Sequence, residues 1–466
     1  MTDRIGTAQR IHLVGVGGSG MSSLGQLLLL MGKQVSGSDL SSSAATRSLV
    51  QAGADIHLGH AAEYVDGATL VIRSAAVPTD NPELAEARRR GIPSLSHAEA
   101  LGELTRDHPT AAVAGTHGKT TTTALIAWLL DRAGLEPTAL IGGAALNFPS
   151  GIRLGEGPFV VEADEYDRRF LQLTPEVAVV TNVEADHLDY YRDLDEIEAA
   201  FQAFVDRLPR HGRLVVCVDD PRAAALHTEA QRETFGASDL ADWQVQDYAP
   251  LPDGGSRFVV HAAGRGWEAR SRLVGWHNAL NATAALAVAD HFGVGLRAAL
   301  SALAEFKGTR RRFETRGRPG GIWVVDDYAH HPSEVRTVLR AARERVPRPS
   351  AIWAVFQPHS VNRTAALFDD FLSAFDEADH VLVLPIYRPA GREQDDATSG
   401  ALAQRLVDAM RAHGHLDARL VESFDAAESA IVDGARPGDL VLTFGAGDVT
   451  LLADRLVAAL DGSQRT

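Results

Sequence analysis

The sequence predicts an α/β protein of three domains, each built on a mostly parallel sheet. Three observations carry this reading. The 466 residues suffice for about three domains of ordinary size. Three segments each open with an apolar strand, a glycine-containing turn and a helix. Each then continues in alternating strand and helix patterns, the signature of parallel α/β architecture. With 45% hydrophobic and 23% charged residues, the composition is that of an ordinary globular protein.

The first expected domain covers residues 1–106, with strands at Ile11–Val14, Gln34–Ser36 and Thr69–Arg73. The second, 107–312, carries strands near Ala111–Ala114, Phe159–Val161 and Val177–Thr181. The third, 313–466, contains Ile322–Val325, Ala351–Phe356, His380–Leu384 and Leu440–Phe444. Proline- and glycine-containing stretches at Arg106–Pro109 and Arg316–Gly321 mark the boundaries. The stretch from Met1 to Arg10 lacks an apolar core and reads as neither signal peptide nor anchor. The apolar run Leu27–Met31 is too short to span a bilayer. Cys217, the single cysteine, lies in the apolar run Leu214–Val218 and reads as a buried structural thiol. These features point to a cytoplasmic protein.

A net charge of −16 argues against a general nucleic-acid surface, which needs cations to displace counterions. An anionic ligand must therefore meet positive charge locally, at a lysine, a metal ion or a helix N-terminus. The chain has three lysines, Lys33, Lys119 and Lys307.

Lys119 lies in Ala112–Thr122, a small apolar strand followed by Gly115-Thr116-His117-Gly118-Lys119-Thr120-Thr121 and an expected helix Thr123–Arg132. Backbone N–H groups at such a turn cradle anions, Lys119 can reach the outer phosphates of a nucleotide, and the Thr120 hydroxyl can ligate magnesium. Val113 stands where the common longer loop has its first glycine. Two acidic runs follow further strands, Glu162–Asp167 and Asn182–Asp189, the second including His187. At the carboxyl ends of strands they would share an edge with the phosphate loop and supply the oxygen ligands magnesium prefers.

The first segment carries Gly15-Val16-Gly17-Gly18-Ser19-Gly20-Met21 after a strand, with Asp39 following the second strand. This is a dinucleotide-type pyrophosphate turn, and Asp39 can accept from a ribose hydroxyl. It fits a nicotinamide cofactor or a nucleotide sugar equally, but a dehydrogenase leaves Lys119 and the acidic runs unexplained. The third segment holds Asp326-Asp327-Tyr328-Ala329-His330-His331-Pro332, then a helix with Ser333 as expected N-cap, and Phe356–Ser360 and Gly445–Asp448 after further strands. The paired histidines lack partners at zinc spacing and read as polar ligand contacts. Arg310-Arg311-Arg312 reads as either a basic face or an anion contact.

In order along nearly the whole chain, these motifs, with Ser36–Asp39, His277–Ala282 and Arg311–Glu314, resemble the Mur ligase family, in particular its alanine-adding branch. The resemblance implies a Rossmann-like amino-terminal domain for a UDP-sugar, a P-loop-type central ATPase and a Rossmann-like carboxyl-terminal domain. It implies ATP and Mg2+ as cofactors, and UDP-N-acetylmuramate and L-alanine as substrates joined through an acyl phosphate. Residue by residue, it assigns Gly17, Gly18, Ser19, Gly20, Met21, Asp39 and Ser74 to the sugar nucleotide. Gly115, Thr116, His117, Gly118, Lys119, Thr120, Thr121, His277, Asn278, Asn281, Arg311 and Asp326 go to ATP, and Thr120, Glu162 and His187 to magnesium. Tyr328, His330, His331, His359 and Arg363 would face the sugar carboxylate or the amino acid, His330 or His331 acting as base. Ser360-Val361-Asn362 and Trp276 depart from the family pattern, and Phe159–Arg213 lacks the lysine that other branches carbamylate. A murein tripeptide recycling ligase is the neighbouring alternative.

Overall fold

The computed structural model describes residues 3–148, 151–188, 190–252, 254–387, 396–415 and 417–462. Of the motif residues, Asp189 lies outside this set. Three sheets organise the described residues. The first contains β1 (Arg10–Val14), β2 (Gln34–Asp39), β3 (Asp55–Leu58), β4 (Leu70–Arg73) and β5 (Ser94–Ser96), all parallel, in the order β3-β2-β1-β4-β5. The order reverses beside β1, which opens a crevice at the carboxyl ends of the strands.

The second sheet contains β6 (Thr110–Ala114), β7 (Thr138–Leu140), β8 (Ile152–Arg153), β9 (Phe159–Glu162), β10 (Val177–Val180), β11 (Arg213–Cys217), β12 (Gln231–Gly236), β13 (Trp243–Pro250), β14 (Ser256–Ala262) and β15 (Arg265–Ser271). Its order is β15-β14-β13-β12-β11-β10-β6-β9-β7-β8. Strands β6 and β10 lie side by side in parallel and are buried throughout. That burial explains why they read as unbroken small apolar runs rather than alternating ones.

The third sheet contains β16 (Glu314–Gly317), β17 (Trp323–Asp327), β18 (Ile352–Phe356), β19 (His380–Val383), β20 (Ala418–Leu420) and β21 (Leu440–Phe444), in the order β16-β17-β21-β18-β19-β20, with β16 antiparallel. Two apolar clusters, one around Phe356, Phe371 and Phe375 and one around Trp353, Leu382 and Leu452, complete this part. The chain forms two compact units: residues 1–247, 258–269 and 280–307, and residues 248–257, 270–279 and 308–466. No described helix is long and apolar enough to cross a membrane.

Among the differences from expectation, three concern a turn or a helix start. Strand β2 runs on to Asp39, because Gly37 and Ser38 stay in register with Leu13 and Val14. Gly37 permits this; a Cβ there would come within 2.9 Å of the Leu13 carbonyl. The helix after the phosphate loop starts at Lys119, one turn before Thr123, so Thr120–Thr122 lie in its first turn. The helix Pro332–Arg345 is capped by His331, not Ser333. Pro332 has no N–H and a preset φ, which suits the first helical position and moves the start upstream. The His331 ring then accepts from the Ser333 N–H at 3.4 Å.

Candidate functional site

The first unit holds two turns of the same kind. In the phosphate loop, β6 ends at Ala114 and Gly115 takes φ +136°. Gly118, at φ +85°, is the N-cap of the helix Lys119–Arg132, and a Cβ on it would lie 2.7 Å from Asn281 Oδ1. Positive φ at both positions is what glycine alone adopts without strain. The loop is fastened to the end of β10. Asn182 Oδ1 accepts from the His117 N–H (2.8 Å), and the Thr181 hydroxyl donates to the His117 carbonyl (2.6 Å). The Thr116 hydroxyl accepts from the Glu184 N–H at 2.8 Å. Thr121 is buried in the helix.

Lys119 turns back over this loop. Its Nζ donates to the Gly115 carbonyl (2.5 Å) and to both carboxylate oxygens of Glu165 (2.9 Å each). Burial alone would press the ammonium toward neutrality, but Glu165 in contact, with Asp164 and Glu162 nearby, holds its pKa above the ordinary lysine value. The Thr120 hydroxyl donates to Glu162 Oε2 at 3.2 Å, while Glu162 Oε1 accepts from the Gly142 N–H at 2.6 Å. His187 adopts φ +56° and points Nε2 to within 3.9 Å of Glu165 Oε1. Lys119, Thr120, Glu162, His187 and Asn281 thus converge around the loop. Thr120 and Glu162 put hard oxygen donors side by side, a donor set that suits magnesium.

At the amino-terminal turn, Gly15 takes φ +77°, and its N–H and that of Val16 both donate to the Ser38 carbonyl (2.9 and 3.0 Å). Asp39 accepts from the Gly17 N–H at 2.7 Å and the Ser41 N–H at 3.1 Å, so its carboxylate braces the turn. Gly18 precedes the helix Ser19–Leu30, which includes Gly20 and Met21; its φ is −71° and an added Cβ would touch nothing within 4 Å. Ser74 lies against Gly15, its Cβ 3.0 Å from where a Gly15 Cβ would be. A Cβ on Gly20 would meet the His97 ring at 3.2 Å, and burial with nearby Arg169 pushes the His97 pKa down.

In the second unit, Asp326 accepts from the hydroxyls of Thr443 (2.7 Å) and Thr450 (2.6 Å), and the Arg311 Nε lies 3.4 Å from it. Arg311 also donates to the Gly445 carbonyl, and its guanidinium stands 4.9 Å over the Tyr328 ring. The His330 ring lies 5.4 Å from Tyr328 and 6.0 Å from His359. The Arg363 N–H donates to the hydroxyl of Ser360, which is itself held at φ +62°. Asn278 donates to the Val274 carbonyl at 2.8 Å. Burial first, then nearby Arg312, push the His277 pKa down to about 4.

Sequence reasoning did not single out Glu165, although it sits in the quoted acidic run. Nor did it give a role to Asn182, which opens the second quoted run, and it missed His97. Glu165 was legible only as one more carboxylate, since contact with Lys119 depends on where β9 ends.

A parallel α/β fold with two nucleotide-type turns, one of them a lysine-bearing phosphate loop, defines a class of nucleotide-dependent enzymes. Family models for the Mur ligase catalytic domain match residues 10–109, for the Mur ligase middle domain residues 113–289, and for the Mur ligase glutamate ligase domain residues 311–447. The chain is 44% identical over 459 residues to a UDP-N-acetylmuramate–L-alanine ligase of an Anaeromyxobacter species, covering 97% of this chain and 98% of the relative. Its identity to the ligase of the same name from Myxococcus xanthus is 43%, over 97% and 95%. Among solved structures, the UDP-N-acetylmuramate–alanine ligase of Thermotoga maritima superposes with a TM-score of 0.83 at 29% identity, covering 97% and 99%. A murein peptide ligase from Psychrobacter arcticus gives 0.72 at 28% over the same shares. The chain belongs to the Mur ligase family.

Proposed function

We propose that this enzyme joins L-alanine to the carboxylate of UDP-N-acetylmuramate at the expense of ATP, releasing ADP and phosphate, in the cytoplasmic synthesis of peptidoglycan precursors. The observation that carries the reading is near-full-length similarity to alanine-adding ligases. The half-buried lysine at the phosphate loop supports the chemistry.

Attack of one anion, the muramoyl carboxylate, on another, the γ-phosphate, makes positioning and charge neutralisation the main catalytic tasks. The loop Gly115–Thr121 wraps the phosphates, with the backbone N–H groups of Gly118–Thr121 as donors, since Asn182 takes those of Thr116 and His117, and Lys119 leaves Glu165 to meet the charge on the transferred group. Asn281, His277, Asn278, Arg311 and Asp326 serve the nucleotide. Thr120, Glu162 and His187 would hold magnesium, which neutralises phosphate charge when bound. The amino-terminal turn, with Gly17, Gly18, Ser19, Gly20, Met21, Asp39 and Ser74, takes the pyrophosphate of the UDP-sugar. Tyr328, His330, His331, His359 and Arg363 serve the carboxylate and the amine, with His330 or His331 taking the proton. On this reading residues 1–106, 107–312 and 313–466 are the UDP-sugar, ATP and closing domains.

The order of steps is open to a direct test. Enzyme given ATP, magnesium and UDP-N-acetylmuramate without amino acid should form an acyl phosphate that borohydride reduces to the alcohol, and alanine should suppress the trapping. Carboxyl oxygen labelled with ¹⁸O should appear in released phosphate; label in AMP instead would mean adenylation and overturn the mechanism.

A further inference from the structure

Beneath the amino-terminal turn lies a polar cluster that the reaction as described does not use. Glu83, whose side chain is 0% exposed, sits at the start of the helix Pro82–Arg90. Its Oε2 lies 2.7 Å from His12 Nε2 and accepts from the Ser38 hydroxyl at 2.8 Å; its Oε1 lies 2.8 Å from His60 Nδ1. His12, also 0% exposed, places Nδ1 2.8 Å from the Ser36 hydroxyl. One arrangement of protons satisfies the cluster. His12 donates from Nε2 to Glu83 and accepts at Nδ1 from Ser36, while Ser38 and His60 donate to the carboxylate. Burial opposes charge on Glu83, yet the hydrogen bonds from His12, Ser38 and His60 hold its pKa below the ordinary glutamate value.

The partners come from β1, β2 and the segment after β3, and Glu83 itself from the helix after β4, so one carboxylate ties four segments of the chain together. One of them, Ser38, is the residue from which the turn hangs: its carbonyl takes the Gly15 and Val16 N–H groups, and the next side chain, Asp39, takes that of Gly17. We infer that Glu83 is a positioning residue for the UDP-sugar site, setting the height and angle of the glycine turn through the Ser38 hydroxyl. The inference rests on the allocation of this turn to the UDP-sugar. A half-satisfied buried network is costly because an unmatched donor there has no water to turn to. Glu83→Gln keeps the shape but sets an amide donor against the donors of Ser38 or His60.

The test compares Glu83→Gln and Ser38→Ala with wild type by calorimetric binding of UDP-N-acetylmuramate without ATP, and by steady-state kinetics. The expected result for Glu83→Gln is a rise of about tenfold in Kd and KM for UDP-N-acetylmuramate, with the KM for ATP changed less than about twofold. Ser38→Ala should weaken the same constant and add little in the Glu83→Gln background, since both act through one hydrogen bond. A merely structural loss would lower the active fraction, and with it kcat, leaving both KM values in place; that result overturns the inference, as does additivity of the two variants. Should Glu83→Gln fail to fold, Ser38→Ala alone decides by the same split. Wild-type enzyme that does not bind UDP-N-acetylmuramate would overturn the site allocation itself, whereas wild-type binding with unchanged variants overturns only the role of Glu83.

Discussion

The two glycine turns of the first unit share a design and differ in charge. Each carries a strand through a left-handed glycine, Gly15 or Gly115, into a helix N-terminus. At the amino-terminal turn the side chain that meets the loop is an acid, Asp39, which consumes one backbone donor. At the phosphate loop it is Lys119, held by Glu165, with Thr120 and Glu162 adjoining. Backbone geometry alone can hold a phosphate, but transferring one needs charge that can be redistributed. The second turn has that charge and the first does not.

The strongest way to break the comparison is to remove the charge. Lys119→Ala should lower the ligation rate by about 10²–10³-fold, the scale of losing one donor to transition-state charge. Binding of UDP-N-acetylmuramate, measured separately, should not change. A rate within about tenfold of wild type would sink the allocation of the loop.

Next is the pair itself. Lys119→Ala leaves Glu165, 4% exposed in its side chain, as an uncompensated buried charge. The loss should be about 3 kcal/mol in denaturant unfolding, largely recovered in Lys119→Ala/Glu165→Gln. Equal stability of the single and double variants would show that Glu165 is not the counter-ion.

The backbones separate more gently. Gly118→Ala forces a side chain into φ +85° and against Asn281, and should cost about 1–3 kcal/mol. Gly18→Ala, at φ −71° in open space, should stay within about 0.5 kcal/mol by the same measurement. The same turn has a separate effect on affinity. Gly18→Val should raise the KM for UDP-N-acetylmuramate by about tenfold and leave that for ATP alone, since a side chain there meets ligand rather than protein. A change confined to ATP would mean the two sites are exchanged.

The sequence disclosed what is local. A strand, glycines and a helix are contiguous in Ala112–Arg132, so the loop and its lysine could be read directly. The early start of that helix was hidden because Thr120–Thr122 are poor helix formers, and tertiary burial of Thr121 and Thr122 overrides propensity. The His12, Ser38, His60 and Glu83 cluster was not legible at all. Its members are scattered over some seventy positions, |i−j| being 71 for His12 and Glu83, and only the strand order around β1 assembles them.

Cys217 closes the structure's chemistry with a practical property. The thiol is 4% exposed, and burial pushes its pKa up to about 11. Because the thiolate is the form that reacts, alkylating reagents should find almost nothing to modify in the native enzyme near neutral pH. Each chain that opens unmasks one thiol and no more. The molecule therefore carries its own unfolding counter, in which the stoichiometry of thiol labelling over time reports the fraction of chains that have opened, without any engineered probe.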